Sequence, residues 1–244
     1  MLSHLFNGLV DILYPKKCLA CGQWLKGSGH PAIKGLVCLD CWMKIKPNLP
    51  PFCASCGRHL DKKSAFKNIC GACAKSRFHF DRAFSPCLYE GVLKELIHKF
   101  KYKQKDHLGN VLGLLMAEFV REYNLPACYA DLIIPIPLHK TRLREREFNQ
   151  AGILANLLSA EFGKITLFDC LVREKFFKSQ TELSVPERRN NIKGAFAVKN
   201  RASITGKNIL LVDDVLTTGA TLSEAAKTLK ESGANIVFAI TLAN

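Results

Sequence analysis

Four Cys-x-x-Cys pairs between residues 18 and 73 constrain the fold of this 244-residue chain more than any other feature. Each pair brings two thiolates to one ion, and two pairs complete the tetrahedral ligand set of a structural zinc site. Redox-active pairs of this kind occur singly, at the start of a helix, so a run of four favours metal. We therefore predict two structural zinc ions. Their ligands are Cys18, Cys21, Cys38, Cys41, Cys53, Cys56, Cys70 and Cys73.

The spacing leaves two ways of combining the pairs open. The gaps between successive pairs are 16, 11 and 13 residues, and both the first and the third gap suit a zinc ribbon. Sequential ribbons are therefore favoured over a cross-braced arrangement. Four thiolates leave no open position on the ion for a reacting water, so both sites are predicted to be structural rather than catalytic.

Positive charge is the second outlier of the composition. The chain has 35 Lys and Arg against 21 Asp and Glu, a formal net charge of +14. Such a surplus favours an anionic partner, whether a nucleic acid, a phosphorylated ligand or a lipid surface. A hydrophobic content of 48% excludes global disorder, and no apolar run is long enough to span a membrane. Residues 1–14 indicate a short amphipathic helix rather than a signal peptide, so we expect a cytoplasmic protein.

The chain changes character near residue 80. Residues 1–79 are rich in Gly, Pro and Lys, whereas apolar segments alternate with amphipathic ones from about Phe80 onwards. We predict strands at 83–89, 131–136, 207–212 and 235–242, and helices at 92–100, 106–123, 149–162 and 221–232. Strands that alternate with helices form a parallel sheet covered on both faces. The predicted fold is therefore α/β: a Cys-rich zinc-ribbon domain with an N-terminal helix at 1–79 precedes a parallel sheet flanked by helices at 80–244.

The clearest candidate site follows the predicted strand at 207–212. Asp213 and Asp214 come directly after it, at the edge where open α/β sheets bind ligands. A loop of small and hydroxyl-bearing residues then enters a helix, and its N–H groups and the helix N-terminus suit a phosphate. Adjacent acids would repel that phosphate but suit the two hydroxyls of a ribose. The loop consists of Val215, Leu216, Thr217, Thr218, Gly219, Ala220 and Thr221.

Two basic segments are predicted to serve the same site. The first, at 133–150, contains His139, Arg142 and Arg146 after a strand that ends at the ligand edge. Their positive charge suits a departing phosphate group, although a solvated basic loop has the same composition. The second, at 178–196, is polar and poorly periodic, and we interpret it as a lid over an anionic substrate. Arg188 and Arg189 within it are candidates for bidentate contacts to phosphate oxygens.

Together these motifs resemble the ComF family, competence-associated proteins that join a double zinc ribbon to a type I phosphoribosyltransferase domain. The strand, acid pair and loop match the type I phosphoribosyltransferase signature almost residue for residue. Further matches are the Cys-x-x-Cys array, Ile136 to His139, Arg146 with Phe148 to Gln150, Gln180-Thr181 with Leu183-Ser184, and Arg188-Arg189 with Asn191. One departure is Glu147, where the family typically has glycine. It argues against a positive φ at this position and adds a negative charge.

The resemblance implies a ligand and a reaction. The two aspartates would contact the ribose 2′- and 3′-hydroxyls of phosphoribosyl pyrophosphate (PRPP), bound with Mg²⁺, and residues 215–221 would hold its 5′-phosphate. The implied catalytic residues are Asp213, Asp214 and Arg146, with further PRPP contacts from His139, Arg142, Arg188 and Arg189. The acceptor pocket is expected in the zinc domain, the lid or residues 90–130. An active transferase with a nucleobase or amine acceptor and a catalytically silent PRPP-sensing, nucleic-acid-binding module both remain open.

The resemblance also implies a role in natural transformation, the handling of incoming single-stranded DNA. Implied partners are DNA-uptake or helicase-type competence proteins, which would recruit the cytoplasmic protein to a membrane uptake complex. The segment 98–105 interleaves positive charge with aromatic rings, a pairing that suits a single strand, although the solvated end of an amphipathic helix has the same pattern. Its candidate residues are Lys99, Lys101, Tyr102 and Lys103.

Overall fold

The structure, a computed structural model, describes residues 17–25, 33, 35–75, 77–101, 107–174 and 192–244. The predicted helix at 1–14, and the predicted lid apart from residues 192–196, lie outside these described residues. Within the described ranges, no helix has both the length and the apolar character needed to cross a membrane.

Strands and helices alternate through the second part of the described chain. The strands are β1 (Arg82–Phe84), β2 (Leu132–Pro135), β3 (Ile165–Thr166), β4 (Leu171–Arg173), β5 (Phe196–Val198), β6 (Ile209–Val212) and β7 (Val237–Ile240). The helices are α1 (Leu39–Trp42), α2 (Lys62–Ala65), α3 (Gly71–Lys75), α4 (Gly91–Phe100), α5 (Leu108–Glu122), α6 (Lys140–Arg146), α7 (Gln150–Phe162) and α8 (Ala220–Glu231). The predicted strand at 83–89 ends early, at Phe84, because Pro86 has no N–H to donate to a ladder.

The central sheet confirms the predicted α/β fold. Its five strands are all parallel and lie in the order β1-β7-β6-β2-β3. The strands β4 and β5 form a separate antiparallel pair. Neither that pair nor β3 is apparent from the sequence, because strands of two or three residues are too short to show an alternating pattern. The basic segment after β2, interpreted as a loop, forms the helix α6.

Alternate residues of β6 contribute to two different cores. Leu210 and Val212 belong to the core that contains α4, α5 and α7, whereas Ile209 and Leu211 belong to the one that contains α8 and the β4–β5 pair. The buried residues of the first ribbon (residues 18–41) join the first core, and those of the second ribbon (residues 53–73) join the second. The two ribbons therefore pack on opposite faces of the sheet.

The connection between the ribbons runs along the segment that follows the edge strand β1. The N–H of Asn48 donates to the carbonyl of Pro86 at 2.7 Å, and the N–H of Leu88 donates to that of Lys46 at 3.0 Å. Phe52, which opens the second ribbon, packs edge-on against Phe119 of α5 at 5.6 Å between ring centroids. The Cys-rich part is thus bonded and packed onto the sheet domain.

The second ribbon also bonds directly to β1. The N–H of Ala83 donates to the carbonyl of Ser55 at 2.8 Å. Next to that contact, Gly57 has a φ of +70°, and a Cβ there would lie 2.4 Å from the carbonyl oxygen of Ala83. Glycine is therefore required at this position both for the backbone conformation and for the approach of the ribbon to the sheet.

The two ribbons provide a matched pair of glycines to test this contact. Gly22 follows the first Cys-x-x-Cys pair of the first ribbon, as Gly57 follows the first pair of the second ribbon. Its φ is +76°, but a Cβ there would meet nothing within 4 Å. We expect Gly22→Ala to destabilise the protein by about 1 kcal/mol, through the backbone alone. Gly57→Ala should destabilise it by a further 1–3 kcal/mol, roughly the range for overpacking, because the ribbon must move off β1. Thermal unfolding of the zinc-loaded variants measures both changes, and equal losses would contradict the contact.

Candidate functional site

The eight paired cysteines form two separate clusters. In each, the four ligand sulfurs lie within 4.8 Å of one another. The first cluster is Cys18, Cys21, Cys38 and Cys41, and the second is Cys53, Cys56, Cys70 and Cys73. Sequential pairing is therefore confirmed, and the cross-braced alternative is wrong.

The distances within the clusters fit zinc. The sulfurs of Cys21 and Cys38 are 3.9 Å apart, and those of Cys56 and Cys70 are 3.7 Å apart. A tetrahedron with Zn–S bonds of about 2.3 Å has edges of about 3.8 Å. Each cluster thus has the dimensions of a closed structural zinc site.

The two clusters share a pattern of N–H···S hydrogen bonds. The N–H of Cys38 donates to the sulfur of Cys18, and that of Cys70 to the sulfur of Cys53, each at 3.3 Å. Although burial opposes the charge, backbone N–H groups lower the pKa of Cys18 to about 6 and that of Cys53 to about 7. In contrast, burial and nearby thiols raise the pKa of Cys73 to about 11. Full ionisation of a cluster therefore requires a bound cation, a charge that Zn²⁺ supplies.

The acid pair lies where the sequence predicts, directly after β6. Because β7 and β2 flank β6, the pair has the carboxyl ends of two further strands beside it. The backbone N–H of Asp213 donates to the carbonyl of Ile240 at 3.1 Å, and its carboxylate accepts the N–H of Asp214 at 2.9 Å. These bonds place both carboxylates at the edge of the sheet where ligands bind in this class of fold.

The two aspartates have different electrostatic surroundings. Burial, and then the charge of Asp214, raise the pKa of Asp213 to about 7, while Lys101 and Arg173 act in the opposite direction without outweighing them. Asp214 instead forms an ion pair with Lys101 at 3.0 Å. Near neutral pH, Asp213 of the ligand-free site is therefore protonated in a substantial fraction of the molecules, next to the ion pair of Asp214 with Lys101.

The phosphate-loop candidate connects β6 to α8. Its residues are Val215, Leu216, Thr217, Thr218, Gly219, Ala220 and Thr221. The N–H of Leu216 donates to the carbonyl of Ala243 at 2.8 Å, which anchors the start of the loop. Gly219 has a φ of +74°, and α8 begins at the next residue, so the free N–H groups of its first turn adjoin the loop. A Cβ at Gly219 would lie 2.6 Å from the ring of Phe78, which is a second reason for glycine there.

The predicted basic residues after β2 lie on or beside α6. The His139 side chain caps this helix. Arg142 pairs with Glu145 at 3.5 Å, and Arg146 donates to the amide oxygen of Gln150 at 2.9 Å. These contacts fix the cations beside the carboxyl end of β2, on the same edge of the sheet as the acid pair.

Glu147 adopts the conformation that the sequence argued against. Its φ is +67°, in the left-handed region, directly after α6. An L-residue in this region costs roughly 1–2 kcal/mol, which glycine would avoid. The chain reverses here because Asn149, two residues later, donates its side-chain amide to the carbonyl of Ile136 at 3.0 Å. This chain therefore makes the turn with a non-glycine residue in the left-handed region.

In the segment at 98–105, predicted to contact single-stranded DNA, the two described candidate lysines form contacts within the protein. Lys99 donates to the carbonyl of Leu19 in the first ribbon at 2.5 Å, and Lys101 pairs with Asp214. The remaining predicted contact residues, which lie outside the described residues, are Tyr102, Lys103, Arg188 and Arg189.

Arg173, the last residue of β4, is a site residue that sequence reasoning missed. Burial lowers its pKa, and its charge interacts with those of Asp213 and Arg142. Its Nε is buried and has no hydrogen-bond partner among the described residues. The signal in the sequence is an arginine at the end of a short apolar segment, directly before the predicted lid. Arg173 therefore adds a positive charge that interacts with the acid pair, and its buried Nε is left without a protein partner among the described residues.

Two family models match separate parts of the chain. A family model described as a double zinc ribbon domain matches residues 9–74, and one described as a phosphoribosyl transferase domain matches residues 149–244. Competence protein F of Haemophilus influenzae is 32% identical over 224 residues, which cover 89% of this chain and 92% of that protein. The chain belongs to the ComF family. Competence protein ComFC of Bacillus subtilis is 30% identical, with 81% and 79% covered.

Other proteins similar to this ComF-family chain are more distant. DNA utilization protein YhgH of Escherichia coli is 29% identical over 69% of this chain and 74% of that protein. Among solved structures, glutamine PRPP amidotransferase from B. subtilis, complexed with ADP and GMP, has a TM-score of 0.35 at 20% identity. It is matched over 53% of this chain and 25% of its own length. A purine phosphoribosyltransferase from Pyrococcus horikoshii has a TM-score of 0.32 at 22% identity, over 53% and 68%.

The raised pKa of Asp213 predicts a pH-dependent stability in the ligand-free protein. Between its usual pKa near 4 and its folded pKa of about 7, the unfolded chain releases a proton that the folded chain retains, so stability falls as the pH rises. Asp213→Asn removes this loss. We expect the variant to be more stable than the wild type at pH 8, by about 4 kcal/mol, and the difference to vanish near pH 4.

Thermal unfolding across this pH range measures the difference. Asp214→Asn is the comparison variant, because it removes the neighbouring charge but not the burial of Asp213. It should move the loss of stability to lower pH rather than abolish it. A stability difference between Asp213→Asn and wild type that is independent of pH would contradict the raised pKa.

Proposed function

We propose that this ComF-family protein binds PRPP at the carboxyl edge of its sheet and acts on DNA during natural transformation. The observation that carries the PRPP proposal is the acid pair at the end of β6, followed at once by the loop into α8. In this order, two carboxylates suited to ribose hydroxyls are followed by N–H groups suited to a 5′-phosphate. Lys101 and Arg173 supply positive charge that interacts with the acids.

Each group has a separate role in this proposal. Asp213 and Asp214 accept hydrogen bonds from the two ribose hydroxyls, and the loop at 215–221 holds the 5′-phosphate. Arg142, Arg146 and Arg173 face the pyrophosphate. Because Arg173 has a buried donor without a partner, a phosphate oxygen would satisfy it and remove the penalty of its burial.

The reaction supported by these groups is pentosyl transfer. The bond from ribose C1′ to pyrophosphate breaks, pyrophosphate leaves with the electron pair, and a nucleophile attacks the oxocarbenium-like carbon. The cations on α6 and β4 stabilise the charge that develops on the leaving group, a contribution of about 2.7–4 kcal/mol for one preorganised contact. Mg²⁺, when bound with PRPP, adds to that stabilisation. The acceptor is a nucleobase, an amine or a DNA group, and the silent PRPP-binding module is the alternative.

The PRPP site is tested by removing each carboxylate. We expect Asp213→Ala and Asp214→Ala to weaken PRPP binding by at least about 100-fold, because each removes hydrogen bonds to a charged group. Isothermal titration calorimetry with Mg²⁺ at pH 8 measures the affinity. Asp131→Ala is the control, since Asp131 lies before β2, at the opposite edge of the sheet, where it accepts the N–H of Asn208 at 2.8 Å.

Unchanged PRPP affinity in both acid-pair variants, or equal loss in the Asp131 variant, would contradict the site. Release of pyrophosphate from PRPP in the presence of bases, amines or single-stranded DNA then separates the two forms of the proposal. Turnover that depends on an acceptor supports the transferase, and binding without turnover supports the silent module.

The ribbons offer a surface for single-stranded DNA. The names of the relatives refer to competence and DNA utilization. Phe66 is 95% exposed at the end of α2, with the exposed Lys62 and Lys67 close to it in sequence. An exposed ring between cations suits base stacking and contact to the phosphate backbone. Since Lys99 and Lys101 are engaged within the protein, this surface is the better candidate for contact to a strand.

We expect Phe66→Leu to weaken binding of an oligothymidine by about tenfold, because it removes the ring but keeps an apolar side chain. Fluorescence anisotropy measures the affinity. Met43→Ala is the control, since Met43 is 74% exposed on the first ribbon but has no ring to stack. Lys62→Ala with Lys67→Ala should reduce the salt dependence of binding. Equal affinities of wild type and Phe66→Leu would rule out stacking at this surface.

A further inference from the structure

Arg58 reaches from the second ribbon to the phosphate loop. Its Nη2 donates to the carbonyl of Thr217 at 2.8 Å and lies 3.5 Å from that of Leu216. The two residues in the first contact are 159 positions apart in the sequence. Both acceptors belong to the loop between the acid pair and α8, so this arginine touches the backbone of the proposed phosphate site.

The orientation of a peptide plane gives this contact a consequence for anion binding. In a trans peptide, the C=O of one residue and the N–H of the next point in opposite directions. When Arg58 holds the carbonyls of Leu216 and Thr217 on the ribbon side, the N–H groups of Thr217 and Thr218 are turned to the other side. Loops that bind phosphate do so through such N–H groups. Arg58 therefore acts as a positioning residue, through the loop rather than by touching the phosphate.

The metal cluster sets the position of Arg58 itself. Its carbonyl accepts the N–H of Cys53 at 2.8 Å, and it follows Cys56 by two residues. Cys56 and Cys73 line the same cavity of 190 Å³ as Arg58, Phe78 and the loop. Loss of the ion would release the turn at Cys53–Cys56, whose backbone fixes the position of Arg58. The second cluster and the loop are thus joined through one side chain.

We propose that the second zinc cluster, acting through Arg58, orders the phosphate loop, so that metal and phosphoribosyl ligand bind cooperatively. The inference rests on the proposed function of the loop and adds the ribbon to it as a positioning device. Coupling between two sites is reciprocal: if zinc improves binding of the ligand, the ligand must slow or oppose the loss of zinc from that cluster. The first cluster should show no such effect.

The first ribbon supplies a matched control within the same chain. Gln23 occupies the position in the first ribbon that Arg58 has in the second. It follows Gly22, the glycine after the first Cys-x-x-Cys pair, and its carbonyl accepts the N–H of Cys18 at 2.7 Å. Its side chain is exposed. A variant at this position changes an equivalent part of a zinc ribbon without reaching the loop.

The test compares Arg58→Met, Arg58→Lys and Gln23→Met in the zinc-loaded full chain. Calorimetry uses ribose 5-phosphate alone and PRPP with Mg²⁺. We expect Arg58→Met to weaken both by about tenfold, the loss of one charge-assisted hydrogen bond. Arg58→Lys should restore part of the affinity, and Gln23→Met should leave it unchanged. Ribose 5-phosphate should also slow zinc loss to a chelator from one cluster of the wild type, but not from Arg58→Met.

Alkylation of the released thiols followed by mass spectrometry identifies which cluster opens. If the wild type binds ribose 5-phosphate and Arg58→Met binds it equally well, or if the ligand protects both clusters or neither, the coupling is overturned while the PRPP site stands. If the wild type binds neither ligand, the proposed function itself is overturned. If Arg58→Met fails to fold, the ligand affinity of Arg58→Lys and the chelator measurement on the wild type still test the coupling.

Discussion

The buried side-chain amide of Asn48 bonds the second zinc ribbon to the segment that follows β1. The side chain of Asn48 is 1% exposed and donates to the carbonyls of Gly57 and Ser85 at 2.8 and 2.9 Å. Its oxygen accepts the N–H of His59 at 3.0 Å. All three partners are backbone groups, two in the second ribbon and one in the segment after β1. Asn48 therefore fixes the second ribbon against that segment.

Part of the positive charge of the protein is neutralised or hydrogen-bonded within the site itself. A chain of net charge +14 nevertheless carries two adjacent acids at its ligand edge, and it stabilises them by pairing Asp214 with Lys101 and by placing Arg173 nearby. The guanidinium of Arg58 donates to the backbone carbonyl of Thr217 and lies close to that of Leu216. Each bound zinc leaves its four thiolates with a net charge of about −2, which further reduces the positive excess of the ribbons. Net charge therefore overstates the cationic surface open to DNA.

The sequence was sufficient for features that depend on local pattern. The two cysteine clusters follow from the spacing of the cysteines, and the acid pair and loop follow from a buried strand that ends in polar residues. These features are therefore predicted from the sequence alone. What the sequence could not supply is long-range contact. The pairing of Arg58 with Thr217 leaves no trace in either segment, and Arg173 sits in a strand too short to show alternation. Lys101 fits a solvated helix end by its pattern, yet the tertiary structure pairs it with Asp214.

The position of β1 in the sheet has a consequence for how the chain folds during synthesis. Both zinc clusters draw all their ligands from the first 73 residues, so they can close around metal while most of the sheet is still being made. The strand that receives the second ribbon, β1, pairs with β7, which is synthesised near the other end of the chain. Domains generally fold as units and N-terminal parts emerge first. The ribbons can therefore close around their metal before the sheet on which they pack is complete.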